Sequence, residues 1–336
     1  MPLADLWFLL LGVLFAGFFF LEGFDYGVGM LLPVAGRTDT DRRVVLNTIG
    51  PVWGANEVWL ITAGGALFAA FPQWYATMFS GFYLALVLML VALIVRGVAL
   101  EYRSKVAAAR WRAWWDGLVV FGSLLLALLW GVALSDLLHG LAINAAGNYV
   151  GGFLGLLSPY SLFGGLASLA MFALSGALYL DLRTRGPVQD RVRGILPRLG
   201  AVTVVLLGLY LLWTARLPGV LHHWGPAGIG AAVLGWVALL GERGLLVRRP
   251  GWAFILQAVA VVLTTAAIFL GLFPRVMVSS LNPAWSLTVT GAASNPYTLG
   301  VMTVVALVLV PIALAYQIWA HWLFRAPVQR NSPLEY

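Results

Sequence analysis

Phe15-Ala-Gly-Phe-Phe-Phe-Leu-Glu-Gly-Phe-Asp-Tyr-Gly27 and Asn47-Thr-Ile-Gly-Pro-Val-Trp-Gly-Ala-Asn-Glu-Val-Trp-Leu-Ile-Thr-Ala-Gly-Gly65 are apolar stretches that each carry carboxylates. Both read as helices dissolved in lipid. A carboxylate near the bilayer centre costs about 2.5–3.5 kcal/mol on insertion scales. Glu22, Asp25 and Glu57 therefore need partners, water or a proton.

The rest of the chain has the same character. Of 336 residues, 61% are hydrophobic and only 10% charged, and the mean hydropathy is +0.92. That composition lies outside the soluble globular range. The apolar runs reach about 20 residues, the length a helix needs to cross the hydrocarbon, whereas barrel strands would alternate in short segments. The expected fold is an all-α integral membrane protein forming a single membrane domain over residues 1–336. The net charge of +7 sits in short loops between apolar runs, which makes it a topology signal rather than a nucleic-acid surface. With no cysteine there is no disulfide, thiolate metal site or iron–sulfur cluster. Met1-Pro-Leu-Ala-Asp-Leu-Trp7 has no basic n-region, so the first apolar run is expected to be a retained helix.

Nine spans are expected, at about 6–28, 52–71, 75–97, 114–138, 159–181, 199–215, 225–243, 252–271 and 299–323. The spans suggest two four-helix bundles related as a parallel repeat plus one peripheral last helix. Loops after the first, third, fifth and seventh spans, with the C-terminal tail, hold 18 of the 20 lysines and arginines; the other side has only Arg216 and Arg275. This partition predicts an external N-terminus and a cytoplasmic C-terminus. The longer, nearly uncharged loops near 139–158 and 272–298 are expected to fold over the outer face or against a partner.

Glu22 and Asp25 are three residues apart on one helical face, and Gly23 and Gly27 form a small-xxx-small pair suited to close helix approach. Glu57 lies about a turn inside the second span, between Trp53 and Trp59, so all three acids share a membrane level. The functional reading is a cytoplasmic proton path. The alternative is a buried polar lock with Asn47, Asn56 or an arginine of the third span. Arg96 and Glu101 are candidates for ion pairs there, whereas Arg103 and Lys105 read as snorkelling interface anchors. His139, His222 and His223 fall at the outer surface and His321 at the inner end of the last span, so no histidine is placed to ligate a haem between helices. Met78, Met89, Met171 and Met302 read as packing, and most of the tryptophans as the interfacial aromatic belt.

Several ordered motifs resemble subunit II of the cytochrome bd-type quinol oxidases, including the cyanide-insensitive branch. They are Glu22-Gly-Phe-Asp-Tyr-Gly-Val-Gly-Met30, Gly36-Arg-Thr-Asp-Thr-Asp-Arg-Arg43, Asn56-Glu-Val-Trp-Leu-Ile-Thr-Ala-Gly-Gly-Ala-Leu-Phe-Ala-Ala-Phe-Pro72, Ser80-Gly-Phe-Tyr83, Glu101-Tyr-Arg-Ser-Lys105, Arg110-Trp-Arg112 and Trp115-Asp116. Phe273-Pro274, Ser286-Leu-Thr288 and Met302-Thr303 through Val310-Pro311 extend the resemblance toward the C-terminus.

The resemblance implies a heterodimer in the bacterial cytoplasmic (inner) membrane. Its haem-bearing subunit I would hold two b-type haems and one d-type haem, and this chain would hold no cofactor. The complex would oxidise quinol and reduce dioxygen to water with cytoplasmic protons. A small accessory subunit, and a structural quinone or lipid, stay open. Proton-path residues would be Glu22, Asp25, Glu57, Trp53, Asn56 and Trp59, with Arg96, Glu101, Arg103 and Asp116 in ion pairs or at an interface. Where the family often reads Pro-x-Trp-Asp-Gly-Asn, this chain has Pro51-Val-Trp-Gly-Ala-Asn56, and Glu57 is the natural substitute for the missing Asp. Two other readings stand beside this one. A stand-alone proton-coupled transporter would show broken helices at mid-depth, and a purely structural partner would have no proton role.

Overall fold

The computed structural model describes residues 2–217 and 220–336, without the side chains of residues 220–223. The expectations for His222 and His223 therefore lie outside the described residues. The helices are α1 (Leu3–Ala35), α2 (Asp39–Ile49), α3 (Trp53–Ala70), α4 (Pro72–Gly81), α5 (Tyr83–Tyr102), α6 (Ala109–His139), α7 (Pro159–Arg183), α8 (Pro187–Ala215), α9 (Val220–Arg243), α10 (Pro250–Leu272), α11 (Val289–Ala292) and α12 (Pro296–Leu323). A short antiparallel pair, β1 (Arg275–Met277) and β2 (Leu287–Thr288), lies between α10 and α11. Among the described residues, eight helices are long and apolar enough to cross a membrane: α1, α5, α6, α7, α8, the part of α9 from Trp224, α10 and α12.

Three expectations need correction. The span expected at 75–97 is divided between α4 and α5 at Phe82, whose ψ of 12° leaves the helical range. Ser80 and Gly81 precede the break, and the Ser80 hydroxyl donates to the Thr77 carbonyl at 3.2 Å; a Gly/Ser pair is a common origin of such kinks. The loop after α1 contains an unforeseen helix, α2, opened by a Thr38–Asp41 capping box. The expected span at 199–215 begins twelve residues early, at Pro187. Its first turns are charged and stand clear of the apolar run, which is why hydropathy alone misses them.

The loops group in space as the basic residues do in sequence. At the basic end, Arg42 on α2 reaches Asp116 on α6, Arg103 after α5 reaches Asp39, and Arg191 on α8 and Arg330 in the tail both reach Asp41. At the other end, the Thr77 hydroxyl bonds the Gly147 carbonyl, Leu141 bridges to Ser279, and the Ser294 amide donates to the Ala70 carbonyl.

Helix α1 is the centre of the bundle and packs on α3, α6, α7 and α10. Its closest approach is to α7, where Gly27 meets the backbone of Phe172 and Gly176; a Cβ on either glycine would collide with main-chain atoms. The small pair foreseen at Gly23 and Gly27 thus makes the α1–α7 crossing, with Phe172 seated on Gly23. Gln257 on α10 donates to the Met171 carbonyl and to Ser175 Oγ on α7, at 2.9 and 2.8 Å. Helix α12 packs on α1 and α3 and leaves most of its surface exposed.

Candidate functional site

Two of the three acids in the opening stretches, Glu22 and Glu57, converge on one guanidinium. Arg96, fully buried on α5, places Nη1 at 3.3 Å from Glu22 Oε2 and at 3.3 Å from Glu57 Oε1. Its Cζ lies 5.0 Å from the centre of the Tyr26 ring, a cation–π contact inside an apolar bundle. Asp25, one turn beyond Glu22, accepts from Asn56 Nδ2 at 2.8 Å, and Asn56 Oδ1 accepts from Gln317 Nε2 on α12 at 2.7 Å. Four helices are therefore joined by two polar chains, Glu22–Arg96–Glu57 and Asp25–Asn56–Gln317.

The chains differ in access. Glu22 and Asp25 are completely buried, whereas the Glu57 side chain is 22% exposed. Its neighbours Gly54, Val58 and Ile61 form the outward face of α3, so Glu57 stands at the rim of a lateral surface of the bundle. Gly54 has open space where a Cβ would project. Trp53 lays its ring on Gly97 of α5, and Trp59 lays its ring on Gly17 of α1; the two tryptophans brace α3 on either side of Glu57. Glu22 Oε1, Asp25 Oδ1 and Arg96 Nε and Nη2 are buried without a protein partner, and polar atoms so placed in native proteins are normally met by water.

The arrangement decides among the sequence candidates. Arg96 is the third-span arginine of the lock reading, and Asn56 belongs to the same site. Asn47 does not: its amide bonds the Arg43 and Tyr336 carbonyls. Glu101 is exposed at the end of α5 and interacts with the Tyr336 hydroxyl of the C-terminal tail, not with the acids of the site. Arg103 is not a snorkelling anchor. It is fully buried, with Nε 2.5 Å from Asp116 Oδ1 and Nη2 2.9 Å from Asp39 Oδ1. Lipid-facing anchors keep their heads in water, but this guanidinium finds two carboxylates between α2 and α6. Asp116 also takes Arg42 at 2.8 Å, and Asp39 takes Arg112. Lys105 is exposed, as expected.

Some site residues carried little signal in the sequence. Tyr26 is one aromatic among many. Gln317 was detectable as a lone amide within an apolar run, since such groups bond across helices. Asp41 has no apolar context to mark it, yet it ties three segments. Burial works to raise its carboxyl, but hydrogen bonds from Arg330 and Thr38 and the charge of Arg191 overcome this and hold it below the ordinary aspartate value. Among the described residues no group of three or more His, Asp or Glu side chains is placed to hold a metal ion.

Comparison with known proteins places this geometry. The family model for cytochrome bd terminal oxidase subunit II matches residues 3–324. The chain is 42% identical to the cytochrome bd ubiquinol oxidase subunit 2 of Bacillus subtilis, over 99% of each chain. It is 38% identical to the cytochrome bd-I ubiquinol oxidase subunit 2 of Escherichia coli K12, over 97% of each. A solved bd oxidase structure from Geobacillus thermodenitrificans shares the fold, with a TM-score of 0.73, 18% identity and coverage of 96% of this chain and 97% of that one. A match of this length and identity, on a bundle with buried acids where the motifs put them, shows that the chain belongs to the cytochrome bd terminal oxidase subunit II family.

Proposed function

We propose that this chain is the haem-free subunit of a quinol-oxidising, dioxygen-reducing complex, and that it carries protons from the cytoplasm toward the haem-bearing partner. The observation that carries this reading is one buried guanidinium shared by two carboxylates, with a third one turn away on Asn56 and four of the cluster's polar atoms lacking a protein partner. A structural lock balances its charges, because an unpaired buried charge is strongly destabilising. Here the acids outnumber the cation: Arg96 pairs with Glu22 and Glu57, while Asp25 is left with the neutral Asn56 amide. A site with surplus carboxylates, with buried polar atoms that water would satisfy and with Glu57 at the lateral surface has the parts of a relay. Protons enter past Asp25 and Glu22, nearer the bundle axis, and leave at Glu57 beside the outward face of α3.

The orientation rests on the basic partition, with nine crossings once α3 is added to the eight long apolar helices. A reporter fused after Tyr336 is expected to behave as cytoplasmic and one inserted near Asn148 as external; reversed signals would place the acids away from the uptake side.

The haem-free assignment is supported by ligand placement. Met78, Met89 and Met171 are buried core residues. His139 lies against Tyr160 at the α6 end, and His321 turns Nδ1 to the Gln317 carbonyl. A cavity of about 290 Å³ between α8 and α9 is lined by neither histidine nor methionine. Among the described residues these histidines and methionines do not fit a haem, which supports assigning the b- and d-type haems to subunit I. Purified without its partner, the chain is expected to show no stoichiometric Soret absorption; a Soret band abolished by replacing a methionine or histidine here would refute the assignment. Replacing the acids singly in the assembled complex separates proton transfer from a purely structural role.

A further inference from the structure

Gln317 is the half-buried amide of an otherwise lipid-soluble helix. Its Nε2 donates to Asn56 Oδ1, which leaves Asn56 Nδ2 as the donor to Asp25 Oδ2. Asn56 is wholly buried, and Asp25 Oδ1 has no protein partner. The Asn56 amide is therefore the hydrogen bond that this structure gives the Asp25 carboxyl.

An asparagine amide has two faces with opposite preferences. With its NH2 toward Asp25 it stabilises the carboxylate. Turned over, it presents a carbonyl, which repels the carboxylate and accepts from the protonated acid. Asn56 alone would follow whichever state Asp25 adopted. With Gln317 donating to its carbonyl, turning Asn56 over requires Gln317 to reverse as well.

Resting on the proton-path reading above, we propose that Gln317 is a positioning residue for proton transfer through Asp25, acting by fixing the orientation of the Asn56 amide. This gives the peripheral helix α12 a part in the relay: it keeps Asp25 ready to receive a proton and to release it. The charged and titratable groups around Asp25 are Glu22 on its own helix, Glu57 on α3, Arg96 on α5 and Tyr179 on α7, with His321 of α12 packed on the adjacent Phe24, and substituting Gln317 removes none of them.

The test uses the oxidase assembled with its partner subunit. Gln317→Met keeps the length of the side chain and removes the donor. The protonated-carboxyl infrared band assigned to Asp25, identified by its loss in Asp25→Asn, is expected to persist to higher pH by about one unit, a tenfold change in proton affinity. The pH profile of oxygen consumption is expected to move with it at unchanged haem content. Asn56→Leu is expected to give the same displacement, and the double variant no more than either single one. If Gln317→Met does not assemble, Gln317→Leu, which also lacks the donor and adds no charge beside Asp25, is expected to show the same displacement. A band and profile at wild-type pH in the substituted enzyme, or displacements that add in the double variant, would overturn the role of Gln317. Full activity of Asp25→Asn would instead overturn the proton path itself.

Discussion

Glu57→Gln is expected to leave the complex assembled with full haem content and to lower its oxygen consumption about a hundredfold, within the range that a positioned proton-transfer group contributes. Glutamine keeps the size of glutamate and can still accept from Arg96 Nη1 through its carbonyl oxygen, so the packing of Trp53 on Gly97 and Trp59 on Gly17 is preserved. What disappears is the titrating group at the rim of the α3 face. Gly54 supplies an internal control, because the space beside it is open and it lies three residues before Glu57 on the same helical side. Gly54→Asp added to Glu57→Gln is expected to recover part of the rate. A Glu57→Gln complex with the full oxidase rate would remove Glu57 from the relay. Loss of haem with loss of rate would favour the structural lock.

Arg96→Met is expected to have the opposite signature, failing at assembly rather than at turnover. The side chain is completely buried and is the cation shared by Glu22 and Glu57. Removing one partner of a buried ion pair typically costs about 3–5 kcal/mol, because the remaining charge is left uncompensated. Detergent-extracted Arg96→Met complex is expected to lose its partner subunit at temperatures where the wild type holds it, measured by thermal unfolding and by haem recovered per chain. Combining it with Glu22→Gln takes one carboxylate out of the unpaired set and is expected to restore much of that stability. An Arg96→Met protein as stable as the wild type would show that Glu22 and Glu57 do not depend on this cation. The same argument extends to Arg103, whose buried guanidinium holds Asp116 and Asp39 together.

Much of this architecture was legible in the sequence, since it follows from one-dimensional quantities. The long apolar runs specify spanning helices, because backbone polar groups in lipid must bond within their own segment. The arginine partition groups the loops by side, and the structure brings those loops together through Arg42, Arg103, Arg191 and Arg330. Glu22, Asp25 and Glu57 announced themselves because carboxylates are rare and costly in such runs. The tertiary structure decided who meets whom. Asp25 faces Asn56 and Gln317 while Glu22, one turn away, faces Arg96; Arg103 turns inward rather than to the lipid; Glu101 stands apart. Helix periodicity specifies which side of a helix a residue occupies. The neighbour on that side depends on the crossing of α1 with α7 at Gly27 and Gly176 and on the docking of α12, contacts between segments more than a hundred residues apart that no local pattern encodes.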